Sequence, residues 1–352
     1  DCGDGIDSLI YADSFGGDTI GVTVDIGAGT GSRGYANGDV FSDIEIVVGS
    51  RFNDIIVDGD TDMLIQGGNG RDVLTDALGN DTIEGGYGND QIIAFKGQNV
   101  FSGGEGIDLL SYYRAANGVE VNLETNVTGG AWAATDLISG FENVYGSNKG
   151  GDILVGSSTA NSIRGYGGRD EVWDGAGDDE VRLGNGNDTM RAGAGDDDYR
   201  GGNGRDLVDF GAGFGAVIVD LQAETADTGA QGTKIVRAFE DVIGTIEDDT
   251  ISGTSSSNDI RAGRGHDSIA GRGGADGLFG ANGNDTISGG GGTDTIEGGR
   301  GLDVINGNAG NDILSGGDDN DTFVFIAGDG VDTITDWDIG GDTLIFEGFA
   351  GQ

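Results

Sequence analysis

Aspartate recurs in this chain at intervals of nine residues, in three runs. The first run holds Asp54, Asp72, Asp81, Asp90 and Asp108, with Met63 and Asn99 at the two remaining ninth positions. The second holds Asp152, Asp170, Asp179, Asp188, Asp197 and Asp206, with Asn161. The third holds Asp249, Asp267, Asp276, Asp285, Asp294, Asp303, Asp312 and Asp321, with Asn258. Nineteen of these 23 positions are aspartate. Carboxylates repeated so regularly suit a hard cation, because calcium takes six to eight oxygen ligands at about 2.3–2.6 Å. The surrounding unit is G-G-x-G-x-D-x-U-x, with U a large apolar residue. It is clearest from Gly289 onward, as GGGGTDTIE, GGRGLDVIN, GNAGNDILS and GGDDNDTFV. Nonapeptides of this form are a calcium-binding β-helix repeat.

The elements that must hold these carboxylates follow from the same unit. The residue two places after each of the 23 positions is apolar, from Ile56, Ile65 and Leu74 to Leu314 and Phe323. Gly-x-Gly permits positive φ and a tight turn. The residues after it form a short strand, and its central side chain points inward because strand side chains alternate. Two nonapeptides, 18 residues, then close one coil with a strand on each side. The expected fold is all-β: a right-handed parallel β-roll, or β-solenoid, with coils about 4.8 Å apart. Aspartates 18 residues apart share one edge of adjacent coils, so one ion can bridge them. One edge is acidic throughout its runs. The other is broken by Met63, Asn99, Asn161 and Asn258, leaving Asp179 with Asp197, and Asp276 with Asp294 and Asp312. This pairing predicts 13 well-formed sites, and so about a dozen calcium ions. Met63 removes a ligand, and an asparagine carbonyl serves in weaker fashion.

Composition makes the cation necessary. The 352 residues include 75 Gly and no Pro, and carry a net charge of -44. Such self-repulsion opposes compaction, and a core two side chains thick buries little area against the backbone entropy of so many glycines. Carboxylates that converge on metal ions stop repelling and become the stabilising element. The acidity argues against nucleic acid and against an anionic membrane surface. No apolar run reaches the length of a transmembrane helix. Cys2, the one cysteine, excludes a disulfide framework and is read as incidental.

The runs divide the chain. Residues 1–53 are a partial repeat and a first longer β segment; no signal peptide is visible, and the chain reads as starting inside a longer protein. Residues 54–108, 152–206 and 249–321 are three repeat blocks, 109–151 and 207–248 the second and third longer segments, and 322–352 a capping region. The longer segments are alike: GVTVDIG (21–27), GVEVNLE (118–124) and AVIVDLQ (216–222), then SDIEIVVGS (42–50), SGFENVYGS (139–147) and RAFEDVIGT (237–245). They are expected to continue the stack as longer coils without calcium. Tyr112, Tyr113 and Trp132 are either a sugar-binding platform or packed aromatics. Past Asp321 the spacing breaks and the apolar residues grow bulkier (Phe325, Trp337, Phe346), as an end cap requires.

On these motifs the chain resembles the RTX (repeats-in-toxin) family, the hemolysin-type calcium-binding repeats. The resemblance implies folding on calcium outside the cell after export by a type I secretion system. It places the protein as secreted, extracellular or at a bacterial cell surface, with calcium and the secretion machinery as partners and polysaccharide or other surface components as further ones. The family often attaches such repeats to an enzyme, but the residues here offer no active site. The single histidine, His266, occupies a variable turn position, and no HExxH is present. Asp58-Gly59-Asp60-Thr61-Asp62 is similar to the start of an EF-hand loop, yet Met63 stands where glycine is required and Asn69 where glutamate is. Gly27–Gly31 lacks the Lys-Ser/Thr of a phosphate loop. Two readings remain: a calcium-locked structural rod in an adhesin, surface-layer or matrix protein, or the secretion and folding module of an exported enzyme whose catalytic domain precedes residue 1. The superrepeat of about 100 residues favours the rod, which benefits from length.

Overall fold

The strands are short, mostly three to seven residues, because each nonapeptide leaves little chain between its glycine turns. The computed structural model describes residues 5–12, 20–133 and 135–348; Cys2 lies outside them. Among the described residues the only α-helix is Gly130–Ala133, and no helix is long and apolar enough to cross a membrane. The contacts divide the chain into two units, Asp1–Ala176 with Glu180–Leu183, and Gly177–Asp179 with Gly184–Gln352. Each is a parallel β-solenoid.

In the first unit one row of parallel strands runs Ser8–Ile10, Ile46–Val48, Leu64–Asn69, Thr82–Tyr87, Val100–Glu105 and Leu137–Ser139. The other runs Thr23–Asp25, Ile55–Val57, Val73–Thr75, Gln91–Ile93, Leu109–Ser111, Asn143–Tyr145 and Ser162–Gly167. Within a block the register is the coil length, so Ile65 lies on Ile83 and Leu74 on Ile92. In the second unit one row contains Thr189–Arg191, Leu207–Asp209, Asp241–Ile243, Asp259–Arg264, Gly277–Asn282, Thr295–Arg300 and Ile313–Asp318. Its facing row contains Ile218–Asp220, Thr250–Ser252, Ser268–Gly273, Thr286–Gly292, Val304–Gly310 and Thr322–Ile326. The inward apolar residue of all 23 repeats is no more than 2% exposed, so columns of these side chains form the core of each unit.

The longer segments do more than lengthen a coil. Each folds back as an antiparallel hairpin: Thr23–Asp25 with Thr30–Ser32, Val119–Asn122 with Val127–Gly129, and Ile218–Asp220 with Thr225–Asp227. The cause is local. Asp25, Asn122 and Asp220 each accept the backbone N–H three residues on, at 2.8, 2.8 and 2.9 Å, and the turn then takes positive φ at Gly29, Asn126 and Glu224. The first strand of each hairpin pairs in parallel with the first strand of the block that follows. Tyr112, Tyr113 and Trp132 do not share a platform. Tyr112 is fully buried, its hydroxyl donating to Asp136 at 2.8 Å, while Tyr113 meets Tyr166 edge-on and Trp132 meets Phe95.

Past Asp321 the stack gains a further turn. Thr333–Ile334 pairs with Ile313–Asp318, and Thr343–Glu347 with Thr322–Ile326. Asp332 and Asp342 accept the N–H groups of Asp312 and Asp321, both at 3.0 Å, so they resume the aspartate's place despite the broken spacing.

Candidate metal centre

The sixth residue of every repeat is buried, no more than 4% exposed at any of the 23 positions. Burial of an acidic side chain at such a regular place demands compensation. Half of it comes from the backbone. Within each unit the N–H of one aspartate donates to Oδ1 of the aspartate a coil later, at 2.7–2.9 Å. This joins Asp54 to Asp72, Asp72 to Asp90 and Asp90 to Asp108, Asp152 to Asp170, Asp179 to Asp197 and Asp188 to Asp206. It also joins Asp249, Asp267, Asp285, Asp303 and Asp321 in series, and Asp276, Asp294 and Asp312. The residues paired by spacing alone therefore meet, and they meet first through hydrogen bonds.

The second oxygen carries the candidate chemistry. Oδ2 of Asp72, Asp90, Asp108, Asp206, Asp267, Asp276, Asp285, Asp294, Asp303, Asp312 and Asp321 is buried without a hydrogen-bond partner. At most of these turns it lies against a leading glycine, whose missing Cβ leaves it room. A Cβ built on Gly289 would stand 2.4 Å from Asp294 Oδ2 and 2.6 Å from the carbonyl oxygen of Gly307, a coil later. The same convergence of a carboxylate and a carbonyl oxygen recurs at Gly271, Gly280 and Gly298. Ala262 leads the turn of Asp267 instead. An acceptor-only oxygen beside a carbonyl oxygen, both sequestered, fits a hard cation and nothing that donates nearby. Burial pushes the carboxyl of Asp72 up to about 8, those of Asp267 and Asp303 to about 7, and those of Asp276 and Asp312 to about 6, against the lowering effect of the N–H groups that bind them.

The nineteen predicted aspartates are not equivalent. Asp54, Asp152 and Asp249, which open the three blocks, have both oxygens engaged: Oδ1 by the N–H of Val22, Val119 or Val217, and Oδ2 by the N–H of Ser50, Ser147 or Thr245. Asp197 is neutralised within the chain. The Lys234 ammonium lies 3.0 Å from Asp197 Oδ2, both side chains fully buried. It donates to the carbonyls of Gly195 and Gln231, and Tyr199 adds its hydroxyl to the same Oδ2 at 2.7 Å.

The asparagines engage their side chains in the chain's own hydrogen bonds. Oδ1 of Asn161 and Asn258 accepts the N–H of Ser157 and Thr254 at 2.6 and 2.7 Å. Their Nδ2 donates to the carbonyls of Glu142 and Glu240 at 2.5 and 2.6 Å. Asn99 Nδ2 donates to Asp76 Oδ2 at 3.0 Å. At Asn161 and Asn258 the carbonyl Oδ1 stands against the leading Gly156 or Gly253, where most repeats present aspartate Oδ2, and Nδ2 takes the other side. At Asn99 Oδ1 accepts the N–H of Asp81, as an aspartate would, and Nδ2 faces Asp76.

Two groups escaped the sequence reading. Glu45, Glu142 and Glu240 accept the N–H of Asp7, Asp108 and Asp206 at 2.8 Å each, replacing the aspartate that the longer segments lack. Their signal was the glutamate shared by IEIV, FENV and FEDV. Asp58 and Asp76 stand at the first position of their nonapeptides, where most repeats have glycine, and both are buried.

A family model described as RTX calcium-binding nonapeptide repeat (4 copies) matches residues 64–83, 75–110, 147–181, 173–208, 243–278, 252–287 and 288–323. Together these cover more than half of the chain, following the repeat blocks and passing over the longer segments between them. None of the curated proteins compared with the chain matches it.

Proposed function

The chain belongs to the RTX calcium-binding nonapeptide repeat family, and from that premise we propose that it is an extracellular module whose folding is completed by calcium, serving as a stiff rod in an adhesin, surface-layer or matrix protein. Repeats of this family bind calcium. The observation that carries the proposal is the column of buried Oδ2 atoms without hydrogen-bond partners, repeated coil after coil. Calcium supplies the positive charge that these oxygens lack. The residues of the chain do the rest. Asp72, Asp90 and Asp108, with Asp206, Asp267, Asp276, Asp285, Asp294, Asp303, Asp312 and Asp321, are the ligands we assign most directly. Asp170, Asp179 and Asp188, buried at the same place in the repeat, are assigned with them. Glycines that lead the turns admit the oxygens to one point, and the N–H to Oδ1 bonds hold successive carboxylates in register.

A net charge of -44 keeps the chain open where calcium is scarce. Extracellular calcium modules bind at about 10⁻⁴–10⁻³ M, so such a chain is export-competent inside a cell and folds on leaving it; type I secretion fits that sequence of events. The role proposed is binding and structural, with no catalytic step assigned. Circular dichroism of the full chain tests the core of the proposal. Chelation should abolish the β signal and millimolar calcium restore it; a β signal that survives exhaustive chelation at neutral pH would overturn it.

A further inference from the structure

The turn of Asp81 differs from its neighbours in the carboxylates that surround it. On spacing alone Asp81 is isolated, between Met63 and Asn99 on its edge of the roll. The structure surrounds it with two further carboxylates, Asp58 and Asp76, each of which replaces the leading glycine of its nonapeptide. One ligand atom from each of the three lies within 4.8 Å of the others. The side chains are 3%, 0% and 1% exposed for Asp58, Asp76 and Asp81. Their outer oxygens are spent on the protein: Asp58 Oδ1 accepts from Gly59 N at 2.6 Å, Asp81 Oδ1 from Met63 N at 2.7 Å, and Asp76 Oδ2 from Phe95 N at 2.6 Å and Asn99 Nδ2 at 3.0 Å. Asp58 Oδ2, Asp76 Oδ1 and Asp81 Oδ2 are the remaining oxygens, and all three are buried with no hydrogen-bond partner. A backbone oxygen is also at hand. A Cβ built on Gly79 would lie 2.8 Å from the Thr61 carbonyl and 2.8 and 2.9 Å from the two oxygens of Asp81.

We propose that Asp58, Asp76 and Asp81 form a distinct cation site, built from three carboxylates of two successive coils, that takes a calcium-sized hard cation ahead of the ordinary repeat turns. Three like charges held this close and this deeply repel one another and lose their hydration, and no cationic side chain is placed among them as Lys234 is at Asp197. An ordinary turn offers one free carboxylate oxygen beside backbone carbonyls. This one offers three, and ligand charge is a principal determinant of calcium affinity. The same substitutions explain how the coil tolerates Met63: the carboxylate lost at the sixth position returns at the first, as Asp58. The early site then fixes one coil to the next at the start of the first block, where coil formation can nucleate.

Competition of the full chain against a calcium-chelating dye, counting bound calcium per chain, tests this. The wild-type chain should take up one ion at a free calcium concentration about tenfold or more below the midpoint for the rest. Asp76→Gly restores the ordinary repeat residue and should merge that ion with the others; Asp76→Asn should remove it. A wild-type titration without the early ion, or an early ion that persists in Asp76→Gly, would overturn the assignment. The site rests on the general calcium reading only for this comparison, and the later part of the titration tests that reading separately: loss of the early ion alone strikes one, absence of the later ions the other.

Discussion

The ion pair of Lys234 and Asp197 gives the sharpest test of what the buried carboxylates require. In Lys234→Met the stem is kept and the charge removed, leaving Asp197 Oδ2 with only the Tyr199 hydroxyl. Deleting one partner of a buried pair costs about 3–5 kcal/mol, and the surviving O–H places this case near the lower end, at about 3 kcal/mol. The strands that meet here are Asp197–Asn203 and Thr233–Arg237. Native-state amide exchange on them, at the lowest free calcium that keeps the chain folded, should lose protection by about a hundredfold, since about 1.4 kcal/mol is a factor of ten. The substitution also turns this turn, led by Ala192, into one like that of Asp267, led by Ala262, whose Oδ2 has no partner. Calcium should then compensate. Once free calcium exceeds the dissociation constant, each further tenfold should return about 1.4 kcal/mol, a factor of about ten in protection, and bound calcium should rise by one ion per chain. A protection loss that stays constant across calcium concentrations would refute the equivalence of ammonium and metal at this place.

Other expectations follow from the same geometry. Asp285→Ala removes the acceptor of Asp267 N–H and the oxygen beside Gly280, so calcium stoichiometry by equilibrium dialysis should fall by at least one ion; an unchanged count would contradict the assignment. Asn258→Asp sets a carboxylate oxygen against the Glu240 carbonyl that Nδ2 now serves; it should cost about 1–3 kcal/mol at calcium just sufficient to fold the chain and add one bound ion at saturating calcium, as seen by urea melts and dialysis. Ala281, held at φ 80° in the second position of its turn, should gain about 1 kcal/mol on replacement by glycine, read as a higher melting temperature in saturating calcium. Carboxyls with folded pKa values of about 6 to 8, above an unfolded value near about 4, favour the fold only when protonated. Their stabilisation is complete below about pH 4 and lost as pH rises through 6 to 8, so the chelated chain should gain β signal on acidification, and calcium binding near neutrality should release protons. A chelated chain that loses β signal on acidification from pH 8 to 5 would show the sign to be wrong.

The repeat period by itself determined the coil, the inward apolar column and the edges on which the aspartates lie. These are local consequences of a nine-residue unit: strand alternation buries Ile65 and Ile83, glycine turns the chain, and two units close a coil. The family resemblance rests on the same short-range pattern. Tertiary structure decided which oxygens of those aspartates are available. Asp54, Asp152 and Asp249 look like every other repeat aspartate in sequence, yet the turn before each contributes a Ser or Thr N–H that occupies Oδ2. Lys234 reaches Asp197 only because a hairpin in the intervening segment brings it back 37 residues later, a distance set by loop folding and by no periodicity. Asp58, legible in the linear sequence only as the start of an incomplete EF-hand loop, meets Asp76 and Asp81 only when coils stack. A period fixes each residue's place within a coil; the hydrogen bonds left over after stacking fix its charge and its ligand, and those depend on partners that no period contains.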